Sequence, residues 1–218
     1  MKTRARMQWA VLTCATVVFT APAWPAGSDG SGVYIGAGAG ASRTTLDDAG
    51  INAALLSLGF ASATTSKSET SAAYKAFIGY SFNEYIAIEG GYFNLGKFKF
   101  DSAVTPPGNL HGETSSQGFN VDAVLSYPFA QGFSVFGRAG VQNSKSRVDL
   151  TGTGSVVVLI SETSETKTSW KAGLGLGYEF AQRIGVRGEW EYYRVPDGTN
   201  SSTLATVDVF GISLYYKF

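Results

Sequence analysis

LATVDVFGISLYYKF, residues 204–218, is the stretch whose reading decides the fold. From Phe210 onward every second position, Phe210, Ile212, Leu214, Tyr216 and Phe218, is large and apolar. The residues between them, Gly211, Ser213, Tyr215 and Lys217, are small or polar, so one face suits hydrocarbon and the other a polar interior. A soluble core strand rarely finishes on an unprotected aromatic residue. Working back along the chain, the same period recurs about eight times, and the expected fold class is all-β, an eight-stranded antiparallel transmembrane β-barrel.

The amino-terminal residues set the compartment. Lys2, Arg4 and Arg6 precede an apolar stretch from about Trp9 to Thr20, and Ala21-Pro22-Ala23 offers the small residues of a signal-peptidase site. A cleaved signal peptide over residues 1–23 and a barrel domain over 24–218 are therefore expected, with Ala26 as the second choice of cleavage point. An apolar run of roughly a dozen residues is too short to span about 30 Å of hydrocarbon. Cys14, the one cysteine, lies in this leader, so the mature chain has neither a disulfide framework nor a thiolate metal site. Removing three of 17 basic residues leaves 14 against 17 acidic, a net charge of −3 that excludes a basic footprint for nucleic acid. Twenty-seven glycines, 11 tyrosines and 14 phenylalanines, with no helix-length apolar run after the leader, suit a barrel rather than a helical bundle.

Alternation and turn residues place the strands at 32–44, 70–82, 85–100, 114–129, from 133 onward, up to 180, from 184 onward, and 204–218. Asn83-Glu84, Ala130-Gln131-Gly132 and Ala181-Gln182-Arg183 make short turns, whereas the segments after the first, third, fifth and seventh strands are longer. Phe119 to Phe129 and Trp170 to Phe180 are each ten residues apart. That is the length of a tilted strand crossing the apolar slab between two aromatic girdles. Short turns face the periplasm in outer-membrane barrels, which puts both termini on that side.

The run from Tyr74 to Tyr92, YKAFIGYSFNEYIAIEGGY, followed by Leu95-Gly96, resembles the second hairpin of the OmpA-like transmembrane domain family. Gly175-Leu176-Gly177-Tyr178-Glu179-Phe180 and Val186-Arg187-Gly188-Glu189-Trp190-Glu191-Tyr192 resemble its sixth and seventh strands. The resemblance implies a multi-pass protein of the Gram-negative outer membrane, in contact with outer-membrane lipid and lipopolysaccharide. Its best-known members continue into a peptidoglycan-binding domain, which this chain does not show, so cell-wall anchoring is not implied. Tyr216 and Phe218 resemble the aromatic carboxy-terminal signal read by the outer-membrane assembly machinery. Periplasmic chaperones are expected to shield the alternating strands in transit.

Nine charges are expected to point inward: Lys75, Glu89, Asp122, Arg138, Lys171, Glu179, Arg187, Glu189 and Glu191. An eight-stranded lumen is only wide enough for its own side chains, so these groups must meet one another, as a plug or as a narrow ion path. The geometry of such a lumen favours the plug. Gly36, Gly38 and Gly40 alternate rather than opening a helix, and so make room for bulkier inward neighbours instead of cradling phosphate.

No catalytic residue, metal ligand or cofactor is expected. His111, the single histidine, falls in the second long loop near Asp101, Glu113, Ser115 and Ser116, where a solvated role is commoner than a catalytic one. The first loop, 45–69, carries apolar residues suited to a short amphipathic helix or rim-hugging flap. In the third, Val156-Val157-Val158-Leu159-Ile160 follows a glycine turn and suits a projecting hairpin. The expected function is structural and surface-interactive, with loops offered for adhesion or recognition of a host or cell-surface ligand. The rival is a narrow porin-like channel or a conduit for small hydrophobic molecules.

Overall fold

The computed structural model describes residues 30–158, 161–181, 183–196 and 204–218. The expected leader, 1–23, lies outside them. The elements are β1 (Gly32–Thr44), α1 (Asp48–Ser57), β2 (Ser62–Ser68), β3 (Thr70–Ser81), β4 (Ile86–Thr105), β5 (Gly108–Ala130), β6 (Phe133–Gly154), β7 (Glu162–Ala181), β8 (Ile184–Pro196) and β9 (Leu204–Lys217). Every pairing is antiparallel, and the order β4-β3-β1-β9-β8-β7-β6-β5 closes on itself through β4 and β5. An eight-stranded ring leaves no unpaired edge, which is the condition for a sheet to sit in lipid.

A ninth strand, β2, lies outside the ring and was not expected. It takes over the β3-facing edge of β4 from Lys99 to Thr105, where β3 no longer reaches. Glu69 alone separates β2 from β3, and its carbonyl accepts from Thr44 N at 3.0 Å.

The second connection differs from the expected long loop over 101–113. β4 and β5 run on to Thr105 and Gly108, leaving only Pro106 and Pro107 between them. Beyond Asn94, Asp101 pairs with His111 and Val104 with Gly108, so serines, threonines and charged residues that look loop-like continue the ladder. β6 and β7 likewise extend to Gly154 and from Glu162. Leu159 and Ile160 of the expected apolar hairpin run lie outside the described residues. From Tyr92 to Thr105 the strand covers roughly 40 Å along its own axis. These hairpins therefore project well past the lipid-facing zone.

One residue redirects the wall. At Gly96 (φ +79°) the registers of β4 shift between Asn94 and Lys97, and Asn94 Oδ1 accepts from Gly96 N at 2.8 Å. A Cβ at Gly96 would fall 2.3 Å from the Ala72 carbonyl oxygen, so the bulge requires glycine on both backbone and steric grounds.

Side chains sort by parity. Phe119, Phe129, Trp170, Phe180, Ile212 and Leu214 stand 49–68% exposed on the outer wall, an apolar band suited to the hydrocarbon of a membrane. Tyr34, Phe77, Ala87, Val124 and Phe136 fill the lumen towards the short turns. Phe93, Leu95, Phe98, Tyr193, Val195, Val207 and Val209 fill it towards the long hairpins. Gly36 and Gly79 make this packing possible: a Cβ on either would collide with the ring of Phe77 or Tyr34 at 2.3 Å. Gly30 and Phe218 lie at one end, where Lys217 Nζ donates to the Gly30 carbonyl and Phe218 N to Val33 O.

Candidate functional site: the ion cluster and the outer vestibule

Between the two apolar fillings lies a layer of charge. Inward parity delivers Lys75 from β3, Glu89 from β4, Asp122 from β5, Arg138 from β6, Lys171 from β7, and Arg187, Glu189 and Glu191 from β8. Arg138 is the hub: its guanidinium lies 3.1 Å from Glu89, 3.0 Å from Glu189, 3.3 Å from Glu191 and 3.7 Å from Asp122. Lys171 Nζ donates to Asp122 at 2.9 Å and to Glu191 at 2.8 Å. Lys75 reaches Glu189 and Glu191, both at 2.8 Å, and Arg187 pairs with Glu89. Four cations thus meet four carboxylates, so the cluster is neutral.

Glu179, also placed inward by parity, is not part of this network. It sits exposed near the short-turn rim and accepts from Tyr215 Oη at 2.9 Å. Parity tells which face a side chain takes but not how deep it lies, and Glu179 is one residue from the end ring Phe180. With Glu179 counted, the acids exceed the bases by one; without it they balance.

Aromatic and hydroxyl groups join the cluster that the inward charges alone did not reveal. Tyr34 Oη donates to Glu89 at 2.7 Å, Tyr193 Oη to Glu191 at 3.2 Å, and Ser213 Oγ to Glu189. Lys171 Nζ also stands 4.7 Å from the Tyr193 ring centre, and the Arg187 guanidinium 4.6 Å from that of Tyr215. Sequence reasoning did not single out Tyr34 or Tyr193, since nothing in their spacing pairs them with a particular carboxylate. Glu89, Asp122, Arg138, Lys171 and Glu191 are each at most 5% exposed. Charges so buried tolerate desolvation only when paired and hydrogen-bonded.

A second feature lies outside the upper apolar filling. A cavity of about 600 Å³ opens in the barrel mouth, floored by Phe98, Val195 and Val207 and walled by Leu110, Val148 and Leu150. Helix α1 covers it, with Ile51, Ala54, Leu55 and Leu58 among its lining. Leu55 is buried against Val104 and Val156. The helix starts at Asp47, whose Oδ1 accepts from Gly50 N at 2.9 Å, and is tied to the wall by Lys67. Lys67 Nζ donates to Leu46 O at 2.8 Å and to Asp48 at 2.9 Å, and lies 3.0 Å from Glu69. Hydrogen bonds from Lys67 hold the Asp48 and Glu69 carboxyls below their ordinary range, and those carboxylates raise Lys67 in turn.

His111 stands on β5 rather than in a loop, its Nδ1 2.7 Å from Asp101 Oδ1 on the exposed face of the hairpin. The hydroxyls considered beside it are not assembled into a site. Ser115 is four residues along the same strand, about 13 Å away. Ser116 faces the interior, bonded to Ser146 at 2.5 Å. Among the described residues no cluster of His, Cys, Asp or Glu is arranged to hold a metal ion.

A closed cylinder with a hydrocarbon-facing wall and an ion-paired centre defines a small transmembrane barrel of the outer-membrane class. The chain belongs to the outer membrane protein beta-barrel domain family, whose model matches residues 11–218. It is 28% identical over 119 residues to outer membrane protein A of Serratia marcescens. It is 29% identical over 117 residues to that of Yersinia pseudotuberculosis. Each match covers 54% of this chain and 31% of the relative, so the chain spans about a third of their length. Among solved structures, Neisserial surface protein A is 14% identical, with a TM-score of 0.48 and coverage of 86% of this chain and 98% of that one. OprG of Pseudomonas aeruginosa is 13% identical, with a TM-score of 0.48 over 86% and 96%. The protein is located in the outer membrane of a Gram-negative bacterium.

Proposed function

We propose that the protein is a plugged outer-membrane barrel, a non-catalytic envelope component whose outer hairpins are its means of contact with other surfaces. The observation that supports this reading is the burial of the ion cluster: five charged side chains at most 5% exposed pack against one another at mid-lumen. Eight-stranded barrels enclose just enough space for their own side chains. Backbone ladders extending far outside the lipid zone supply rigid, polar display surfaces in place of floppy loops. The test is whole-cell binding: cells making the full protein adhere to a host-cell or abiotic surface, and cells whose β4–β5 and β6–β7 hairpins are cut back to the lipid boundary do not. Equal adhesion by both would remove the surface role.

Delivery follows the same reading. Residues 1–23 act as a cleaved leader, Tyr216 and Phe218 act as the signal for the assembly machinery, and periplasmic chaperones carry the chain between the two. Amino-terminal sequencing of the mature protein should begin at Trp24. Deleting Phe218 should lower the inserted fraction severalfold in pulse-labelled cells while synthesis is unchanged.

The covered vestibule supports a second reading, uptake of a small hydrophobic molecule. Its apolar lining suits such a ligand, but its floor continues into the packed Phe93–Val209 cluster. Quenching of a bound fluorescent fatty acid, abolished by Leu110→Glu, would support capture at this mouth; no binding would dismiss it.

A further inference from the structure

The vestibule under α1 has a lining without cations. Among the described residues it holds no lysine, arginine or histidine, and Asp47, exposed at the rim, is its one charged member. Strand parity accounts for this. Ser42 and Thr44 on β1, Phe98 on β4, and Ser144, Ser146 and Val148 on β6 are buried. The basic residues that alternate with them, Arg43, Lys97, Lys99, Lys145 and Arg147, are therefore turned to the outside of the wall, where all five are exposed.

The remaining cations near the mouth are engaged elsewhere. Lys67 is held by the Leu46 carbonyl, Asp48 and Glu69. Arg194 lies over the outer Trp170 ring, 5.7 Å from its centre. Lys167, on the inward parity of Lys171, stands 3.6 Å from Glu165 and is not part of the lining. The segments 159–160 and 197–203, outside the described residues, contain no basic residue in their sequence.

The polar groups that do line the space already have partners. Thr44 Oγ1 donates to Thr206 O at 2.9 Å, Ser116 bonds Ser146, and Asp47 caps α1 through Gly50 N. No buried side-chain polar atom of the lining lacks a partner among the described residues. What is left for a guest is apolar contact, from Ile51, Leu55 and Leu58 on one face of α1 and from Phe98 and Val207 beneath. Leu58 lines the cavity yet is 76% exposed, which places the opening at its end of the helix. Gly112 supports the same space: a Cβ there would strike the Phe100 ring, which rests against β5 at the place the glycine leaves bare.

We infer that the vestibule binds uncharged apolar molecules, hydrocarbon or aromatic in character, and discriminates against those with an anionic head. The inference rests on the capture reading proposed above and gives it a ligand class. A carboxylate or sulfonate entering such a space loses hydration without gaining a counter-ion, and Asp47 repels it at the rim. An ionised fatty acid is accordingly a poorer ligand than its methyl ester.

The experiment uses the full mature chain refolded into lipid nanodiscs, its folding checked by the heat-modifiable gel shift. It is titrated with phenylnaphthylamine and with anilinonaphthalene sulfonate, which share one ring system and differ by the sulfonate. Methyl resonances of Leu55, Leu110 and Val207 report binding in the cavity itself and not partition into the surrounding lipid. The neutral probe should shift all three saturably, and the sulfonate should bind about tenfold more weakly. Thr45 lines the cavity at its exposed rim, so Thr45→Lys supplies the missing counter-ion without entering the packed interior. That variant should bind the sulfonate severalfold more tightly and the neutral probe as before. Equal binding of both probes by the parent, or a folded Thr45→Lys chain that discriminates as strongly as the parent, would overturn the inference and leave capture standing. If neither probe moves the three methyls, capture at this mouth falls and the inference falls with it.

Discussion

Arg138 is the residue on which the interior most depends, since it touches all four carboxylates of the cluster. Replacing it by Met leaves four acids to three bases in a buried cluster. Breaking a buried pair from one side costs about 3–5 kcal/mol, and charge reversal to Glu costs more. Arg138→Met should therefore lower the urea midpoint of the refolded barrel, and Arg138→Glu should fail to give the compact heat-modifiable species. A variant as stable as the parent would show that the pairs do not bear on stability. Lys67 plays a smaller and solvent-accessible part. Asp48 and Glu69 have lowered carboxyl values in the folded chain, so their contribution is complete above the ordinary carboxylate range and is lost as pH falls through the lowered values. The raised Lys67 contributes until pH climbs through its own value. Lys67→Met should return both carboxyls towards ordinary values in an NMR titration and free α1 in amide exchange. Unmoved carboxyl titrations would contradict the tether.

At the level of elements, the strands were legible wherever one face had to be greasy. Alternation from Tyr74 to Phe82 or from Phe210 to Phe218 leaves no other choice of face, because a slip by one residue would put Lys75 or Lys217 into lipid. It was not legible past Asn94. The bulge at Gly96 reverses parity, so that Leu95 and Phe98 both face inward, and an alternation count carried through that point fails. Beyond the lipid the outward face is polar and the inward face mixes serines with scattered apolar residues such as Phe98, Val104 and Val148. Ser116, Ser144 and Ser146 line the interior and Lys97, Glu113 and Arg147 the outside, so a strand there reads as a loop. Pro106-Pro107-Gly108 looked like the middle of a long connection and is only its tight tip. Gly96→Val should cost roughly 1–3 kcal/mol through its positive φ alone. Faster amide exchange across 94–98, with the far wall at 170–180 unchanged, should report the lost bulge; protection equal to the parent would mean the bulge is not needed.

For the whole molecule, the inward charges were readable one by one, but their arrangement was not. Sequence parity assigned Glu179 to the same interior as Glu189, and only depth separates the rim residue from the cluster. Nor does spacing reveal that the bulkiest lumen residues segregate into apolar layers on both sides of the charges, which buries the pairs in surroundings of low dielectric where they are stronger. A neutral plug between two greasy layers is a poor path for ions of either sign. Selectivity changes on mutating single charges should accordingly follow loss of structure and not precede it.

Single-channel recording of the refolded protein in planar bilayers tests the central claim most directly. The plugged lumen predicts a quiet baseline in molar salt, broken at most by brief small openings, and conductance that rises only in variants that have lost their folded gel mobility. A steady, long-lived open channel in the folded parent protein would contradict it.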